Sequence, residues 1–158
     1  MNQHDLTEWE RDVIGLLVLA SDALGFPRSV GEIYGLIFAE SEPISFAEIT
    51  RRLRISKGSA SQGIRFLRGI GAIRPTYKPG SRKALYAPEL ELRVLLAGLL
   101  RERLLPYLDQ GGQLLTQLQS RSQKQHADAD HMQSRIAKLQ SWHQQSNSLL
   151  PLLSQLLD

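Results

Sequence analysis

Arg51, Arg52, Arg54, Lys57, Arg65, Arg68, Arg74, Lys78, Arg82 and Lys83 follow one another between Glu48 and Glu89 with no carboxylate among them. Guanidinium and ammonium groups gathered in this way bind phosphates, so the chemistry on offer is recognition of a polyanion. The chain of 158 residues carries 19 Lys and Arg against 16 Asp and Glu. Ten bases inside the window therefore leave 9 bases against 16 acids outside it, a balance of −7. Charge confined so sharply exceeds what a solvated, solubilising face needs.

A second constellation is His126, Asp128, Asp130 and His131, in which His126 and Asp130 are four residues apart and share a helix face, as two metal ligands would. It sits in the most polar stretch of the chain with nothing apolar to shield it, so it reads as a solvated linker and no metal is expected. There is no Walker loop, nucleophile elbow or dinucleotide fingerprint, and Gly69-Ile70-Gly71 reads as a helix terminus. The expectation is a binding protein, not an enzyme, with no cofactor.

The bases need elements to hold them. Apolar residues recur at helical steps from Thr7 to Leu24, as Trp9, Val13, Leu16, Leu17, Ala20 and Leu24, behind an acidic first turn of Glu8 and Glu10. Gly25-Phe26-Pro27 breaks this helix. Ser29 and Glu32 have capping-box spacing and open a second helix to about Ala39, with Val30, Ile33, Tyr34, Ile37 and Phe38 as its buried stripe. After an extended break at Glu42-Pro43-Ile44, Ser45 and Glu48 repeat that spacing for a short third helix through Leu53. Arg54-Ile55 is a turn, and Ser56 caps a fourth helix to about Ile70.

The inward face of the fourth helix is Ala60, Ile64 and Leu67, and the opposite face is polar and basic, with Lys57, Ser61, Gln62, Arg65 and Arg68. Gly58, Ser59 and Gly63 keep the helix surface low enough for close approach to another molecule, although Gly63 equally suits tight packing on a neighbouring helix. Beyond Gly71, residues 72–78 and 82–86 read as two strands around the turn Pro79-Gly80-Ser81, with Pro75 making the first an edge strand or a short one. From Glu89 to about Leu108 a leucine-rich helix follows. Leu114, Leu115 and Leu118, then Met132, Ile136, Leu139 and Trp142, then Leu149 to Leu157 form three further apolar stripes, with polar breaks expected at residues 126–130 and 146–148. Residues 119–130 are rich enough in glutamine to suit disorder.

Helix, turn, basic-faced helix and basic-tipped hairpin is the order of a winged helix-turn-helix. The fold expected is mainly α: an N-terminal helix over 1–25, a winged helix-turn-helix over 26–88 and a C-terminal helical region over 89–158. Its recognition helix, 56–70, would enter the major groove, and its wing, 73–87, would reach the backbone or minor groove. With no cysteine, disulfide and zinc-thiolate scaffolds are excluded. The longest apolar stretch, Val13 to Leu19, falls short of the roughly 20 residues of a membrane span, and residues 1–5 do not resemble an export signal, so a cytoplasmic setting is expected. Turn residues and a hairpin within the basic window argue against an anionic membrane surface, which calls for a basic amphipathic helix.

Three strings, residues 25–35 (Gly25-Phe26-Pro27-Arg28-Ser29 through Gly35), 55–61 (Ile55-Ser56-Lys57-Gly58-Ser59-Ala60-Ser61) and 79–83 (Pro79-Gly80-Ser81-Arg82-Lys83), resemble in order the signatures of GbsR-type transcriptional regulators of the MarR superfamily, over residues 7 to about 110. The resemblance implies a homodimer joined by its N- and C-terminal helices, whose two winged domains grip a pseudo-palindromic DNA operator as repressor or activator. A small-molecule effector between the dimerisation helices and the winged domain is also implied. Choline, held by aromatic side chains in the best known members, does not carry over, because Trp9 and Trp142 are the only tryptophans and no cage can be placed. The Gln/Ser/Leu-rich tail after residue 110 departs from the compact family pattern.

Matched residue by residue, Ser56, Lys57, Ser59, Ser61, Gln62 and Arg65 occupy the recognition-helix segment. Gln62 and Arg65 are the base readers implied, since glutamine pairs with adenine and arginine with guanine through two hydrogen bonds. Lys78, Ser81, Arg82 and Lys83 match the wing, with Arg82 suited to a narrow minor groove. Arg28 and Ser29 lie where a helix N-terminus could bind phosphate, though capping alone would explain Ser29. The competing reading is a winged-helix domain used for protein assembly without sequence-specific DNA binding. Single-stranded RNA would need exposed aromatics, and the window offers only Phe66, Tyr77 and Tyr86.

Overall fold

The second helix, α2 (Arg28–Ala39), is wrapped almost completely: Val30, Gly31 and every residue from Ile33 to Ile37 are buried. On one side it meets α1 (Glu8–Ala23) at backbone contact. A β-carbon added at Gly31 would lie 2.6 Å from both the Leu17 carbonyl oxygen and Val18 Cα, and one at Gly35 would lie 2.7 Å from Ile14 Cα. Two glycines one turn apart thus let the helices approach more closely than any side chain allows. On its other side α2 packs against α4 (Lys57–Gly69), where Ile33 occupies the space that a Gly63 side chain would need, 2.5 Å from Ile33 Cδ1.

A computed structural model describes residues 6–122 and 129–157, and the chain forms two compact units, Met1–Gly98 and Leu99–Asp158. In the first, α3 (Phe46–Leu53) starts at the Ser45 N-cap and buries Ile49. Strands β2 (Ile73–Tyr77) and β3 (Ala84–Pro88) form the expected hairpin. A two-residue strand β1 (Ile44–Ser45) pairs with β3, giving an antiparallel sheet of order β1-β3-β2 with the Pro75 strand at its edge. The extended break before α3 is therefore the third strand of the sheet. After α5 (Leu92–Leu99) the chain enters a π-helical turn, Leu100–Leu104, and then α6 (Leu105–Ser122). Leu105 donates to the Leu100 carbonyl, a wider step placed directly before Pro106, whose nitrogen has no proton to give.

In the second unit α6 packs on α7 (Ala129–Leu157). Gly111 and Gly112 face the His143 ring, and Gln140 Nε2 donates to Gln119 Oε1 at 3.0 Å. Helix α7 runs through the break expected at 146–148, because the Ser146 and Ser148 hydroxyls donate back to the carbonyls of Trp142 and Gln144 and the helix absorbs them. Helical structure extends through Ser122, so the part of 119–130 before residue 123 is ordered. Among the described residues no helix is long and apolar enough to cross a membrane.

Three details of the expected packing change. Helix α1 turns Val13, Ile14, Val18 and Ser21 inward, and leaves Trp9, Leu16, Leu19 and Leu24 exposed, because the glycine seam on α2 takes the Ile14 and Val18 edge. On α2, Leu36 is buried and Phe38 is exposed. The α2 N-cap is Pro27, with no side-chain cap, so the Ser29 capping box does not form. Glu32 bonds Arg28 instead, at 2.7 Å.

The first unit is closed by one ionic cluster. Arg52 on α3 bridges Glu10 on α1 and Glu40 at the C-cap of α2, and the Arg52 and Glu10 side chains are only 10% and 8% exposed. Burial opposes ionisation of Glu10, but the Thr7 amide and the Arg52 guanidinium outweigh it and hold the carboxyl at about 2. Burial, with Glu10 alongside, pushes Glu40 up. Glu10 therefore adds stability that is present above about 4.5 and is lost as pH falls toward 2, whereas Glu40 works in the opposite sense.

Removing Arg52 leaves the buried Glu10 and the half-buried Glu40 without a counter-charge. Arg52→Met is expected to cost about 3–5 kcal/mol in urea unfolding at pH 7, and less at pH 5 where one carboxyl takes a proton. A deficit under about 1 kcal/mol, or one equal at both pH values, contradicts this account. In the same assay Gly63→Ala is expected to cost about 1–3 kcal/mol, despite alanine's higher helix propensity, by overpacking against Ile33.

Candidate nucleic-acid interface

The turn between α3 and α4 depends on Arg54, whose φ of 54° puts it in the left-handed region and ends α3 abruptly. Two residues later the Ser56 hydroxyl accepts from the Ser59 amide at 3.1 Å and caps α4. The Ser56 and Ser59 hydroxyls also bond each other at 3.0 Å, so these two serines fix the start of the helix. With Ala60, Gly63, Ile64 and Leu67 turned inward, Lys57, Ser61, Gln62, Arg65 and Arg68 are exposed on the outer face. The expected polar face of the fourth helix is thus formed. Gly58 is exposed, and a β-carbon there would meet only the Ser56 hydroxyl oxygen, at 3.8 Å, whereas Gly63 is consumed by packing on α2.

The outer face of α4 borders a groove of about 590 Å³ lined by Phe46, Ser61, Ile64, Arg65, Arg68, Gly69 and Tyr86. One wall is therefore α4, and the floor reaches β3. Arg68 belongs to this set although it was not among the expected contact residues. Its signal was legible, since Ser61, Arg65 and Arg68 stand at four- and three-residue steps on one helix face.

The wing holds its bases at the tip of the hairpin. Gly80, with φ of 76°, makes the turn; the Ser81 amide donates to the Lys78 carbonyl at 3.0 Å, and the Ser81 hydroxyl accepts from the Lys83 amide at 3.2 Å. Ser81 is thereby a turn residue, while Lys78, Arg82 and Lys83 are exposed. Not every base in the acid-free window belongs to this surface. Arg52 is spent inside the fold, and Arg51 lies 3.8 Å from Glu48 on its own helix. Arg28 is exposed at the start of α2 with its guanidinium held by Glu32, which raises its pKa further.

Of the three aromatics in the window, Phe66 packs against Phe26 with ring centroids 4.9 Å apart, Tyr86 is buried and only Tyr77 is exposed. Asp130 and His131 lie in the first turn of α7, while His126 and Asp128 lie outside the described residues. Among the described residues no three His, Cys, Asp or Glu side chains form a metal-binding group.

No family model matches the chain. It is 32% identical over 83 residues to the HTH-type transcriptional repressor GbsR of Bacillus subtilis, covering 52% of this chain and 46% of that protein. It is 30% identical over 67 residues to YvaV of the same organism, also named as an HTH-type transcriptional regulator, covering 42% of this chain and 38% of that protein. The matches thus span less than half the length of these curated relatives. A crystal structure of a transcriptional regulator superposes with a TM-score of 0.65 over 94% of this chain and 95% of its own, at 18% identity. The chain therefore has a winged helix-turn-helix fold, and over about half its length its sequence is similar to GbsR-type HTH transcriptional regulators.

Proposed function

We propose that the chain is a sequence-specific regulator of transcription that binds double-stranded DNA, acting as a repressor. The observation that carries this reading is the exposed face of α4, where Lys57, Ser61, Gln62, Arg65 and Arg68 stand together within a window that holds no carboxylate, in a fold whose wing is tipped by Lys78, Arg82 and Lys83. The names of the relatives support the same reading. Recognition helix 56–70 enters the major groove, Gln62 and Arg65 read base edges, and Lys57, Ser61 and the wing hold phosphates. Arg28 serves as a phosphate contact only by sharing its charge with Glu32. Within the basic window Tyr77 alone among the aromatics is exposed, and this favours a duplex over a single strand, which is gripped by stacking.

The division of labour follows the chain: 1–25 supports the winged domain and takes part in pairing, 26–88 binds DNA and 89–158 pairs with a second copy. Pairing is supported by Trp9, Leu16 and Leu19 exposed on α1 and by Leu114, Leu118, Trp142, Leu152 and Leu156 exposed in the second unit. A homodimer sets two recognition helices on the half-sites of a pseudo-palindromic operator, with a small ligand as the switch.

Base reading and phosphate binding have different signatures. Arg65→Ala is expected to lose about 1–3 kcal/mol on the selected site and little on random duplex, relaxing preference at one position. Lys83→Ala is expected to weaken all duplexes alike and reduce the salt slope by about 1. Fluorescence anisotropy across a salt series measures both. Equal, sequence-independent losses from the two variants would remove Arg65 from the base-reading role.

A further inference from the structure

The C-terminal end of α4 is held from behind by the segment that leads from β3 into α5. Ile70 is the C-cap of α4, and Gly71, with φ of 74°, turns the chain away into β2. The Glu89 amide donates to the Ala72 carbonyl at 2.8 Å, and the buried Tyr34 hydroxyl donates to the Glu89 carbonyl at 2.5 Å. One residue before the C-terminal end of α5, Gly98 is buried so close to Ile70 that a β-carbon there would lie 1.8 Å from the Ile70 carbonyl oxygen and 2.8 Å from its carbon.

The obstruction at Gly98 differs in kind from the one at Gly63. Gly63 meets the tip of the Ile33 side chain, which can rotate, whereas Gly98 meets the backbone of the residue that ends α4. Backbone cannot repack, so any side chain at 98 must move α5, the end of α4, or both. A glycine inside a helix costs about 1 kcal/mol relative to alanine, so its presence at this contact answers a steric demand. None of the exposed polar residues of α4 takes part in it.

We propose that Gly98 is a positioning residue for DNA recognition: it lets α5 seat on the Ile70 carbonyl, and with the Tyr34–Glu89 hydrogen bond it fixes the angle at which α4 presents Gln62 and Arg65. This rests on the DNA-binding reading above. The end of the recognition helix is thus set by residues that touch no DNA, and a change at this seat alters discrimination between sequences before it alters general affinity for duplex.

The test uses the full chain, a duplex enriched by the wild type from a random-sequence pool, and an unselected duplex of equal length. Gly98→Ala is expected to lower the selected-to-unselected affinity ratio about tenfold, the size of one misread base pair. Tyr34→Phe, a milder change that keeps the ring, is expected to lower it about threefold. Affinity for the unselected duplex stays within about twofold of wild type, because the phosphate contacts are untouched. Hydrogen exchange, read without DNA, is expected to quicken at Ile70, Gly71 and Ala72 in both variants. Should Gly98→Ala fail to fold, Tyr34→Phe carries both readouts. Folded variants with the wild-type ratio and wild-type exchange overturn the proposal. If the wild type enriches no sequence, the DNA-binding reading falls, and unchanged exchange at Ile70–Ala72 would then independently refute the clamp.

Discussion

Helix α2 can be covered on both sides only because three positions along the α1–α2–α4 stack carry no side chain. Gly31 and Gly35 admit the backbone of α1, and Gly63 of α4 admits Ile33 from the opposite direction. At Gly31 and Gly35 the obstacle is backbone, so the α1–α2 spacing is fixed most tightly, while Ile33 fills the gap left by Gly63 on the α4 side. Arg52 then ties α1, the end of α2 and α3 together through Glu10 and Glu40. Breaking such a pair is costly because the surviving charges stay buried, so the cluster holds the helices in one arrangement more than it adds net stability.

The outward chemistry follows from that inner constraint. Once Ala60, Gly63, Ile64 and Leu67 are committed to the core and Phe66 to Phe26, the exposed side chains of α4 are Lys57, Ser61, Gln62, Arg65 and Arg68, which supply a hydroxyl, an amide and cations. The wing is positioned by the sheet, whose central strand β3 pairs on both sides and lends Tyr86 to the groove beside Arg65 and Arg68. A rigid scaffold with a polar, positively charged rim is the form that reading of a duplex requires, since phosphate contacts orient the protein and only a few side chains reach base edges.

Much of this was legible in the residues. Ser45 and Ser56 announced two helix starts, Gly71 and Gly80 two reversals, and Pro75 an edge strand, because each acts through local backbone geometry. What was not legible depends on partners distant in sequence. The third strand is only Ile44 and Ser45, and it exists because β3 offers it a free edge. The inward edge of α1 could not be chosen from its own apolar residues, which cover more than one face; the glycines of α2 decided it. Arg52 looked like part of the binding surface, since nothing local distinguishes it from Arg51 or Arg54. Gly98 gave no signal at all, because its reason is a carbonyl 28 positions earlier in the chain. Within the interface, Ser61, Arg65 and Arg68 shared a readable spacing and Ser81 a readable place in the turn, whereas the bond of the Ser59 hydroxyl to the Ser56 cap emerged only from the structure.

The central claim is that the free face of α4, with the wing beside it, distinguishes one duplex sequence from another. Its most direct measurement is the affinity of the full chain for a duplex it has itself enriched from a random pool, against an unselected duplex, across a salt series that runs from low to physiological concentration. The account predicts a ratio of about 10³ or more, on a site with two related halves about 10 base pairs apart or a multiple of that. A ratio near one at every salt concentration, or no binding to duplex at low salt, would contradict it and leave the basic face to a different partner.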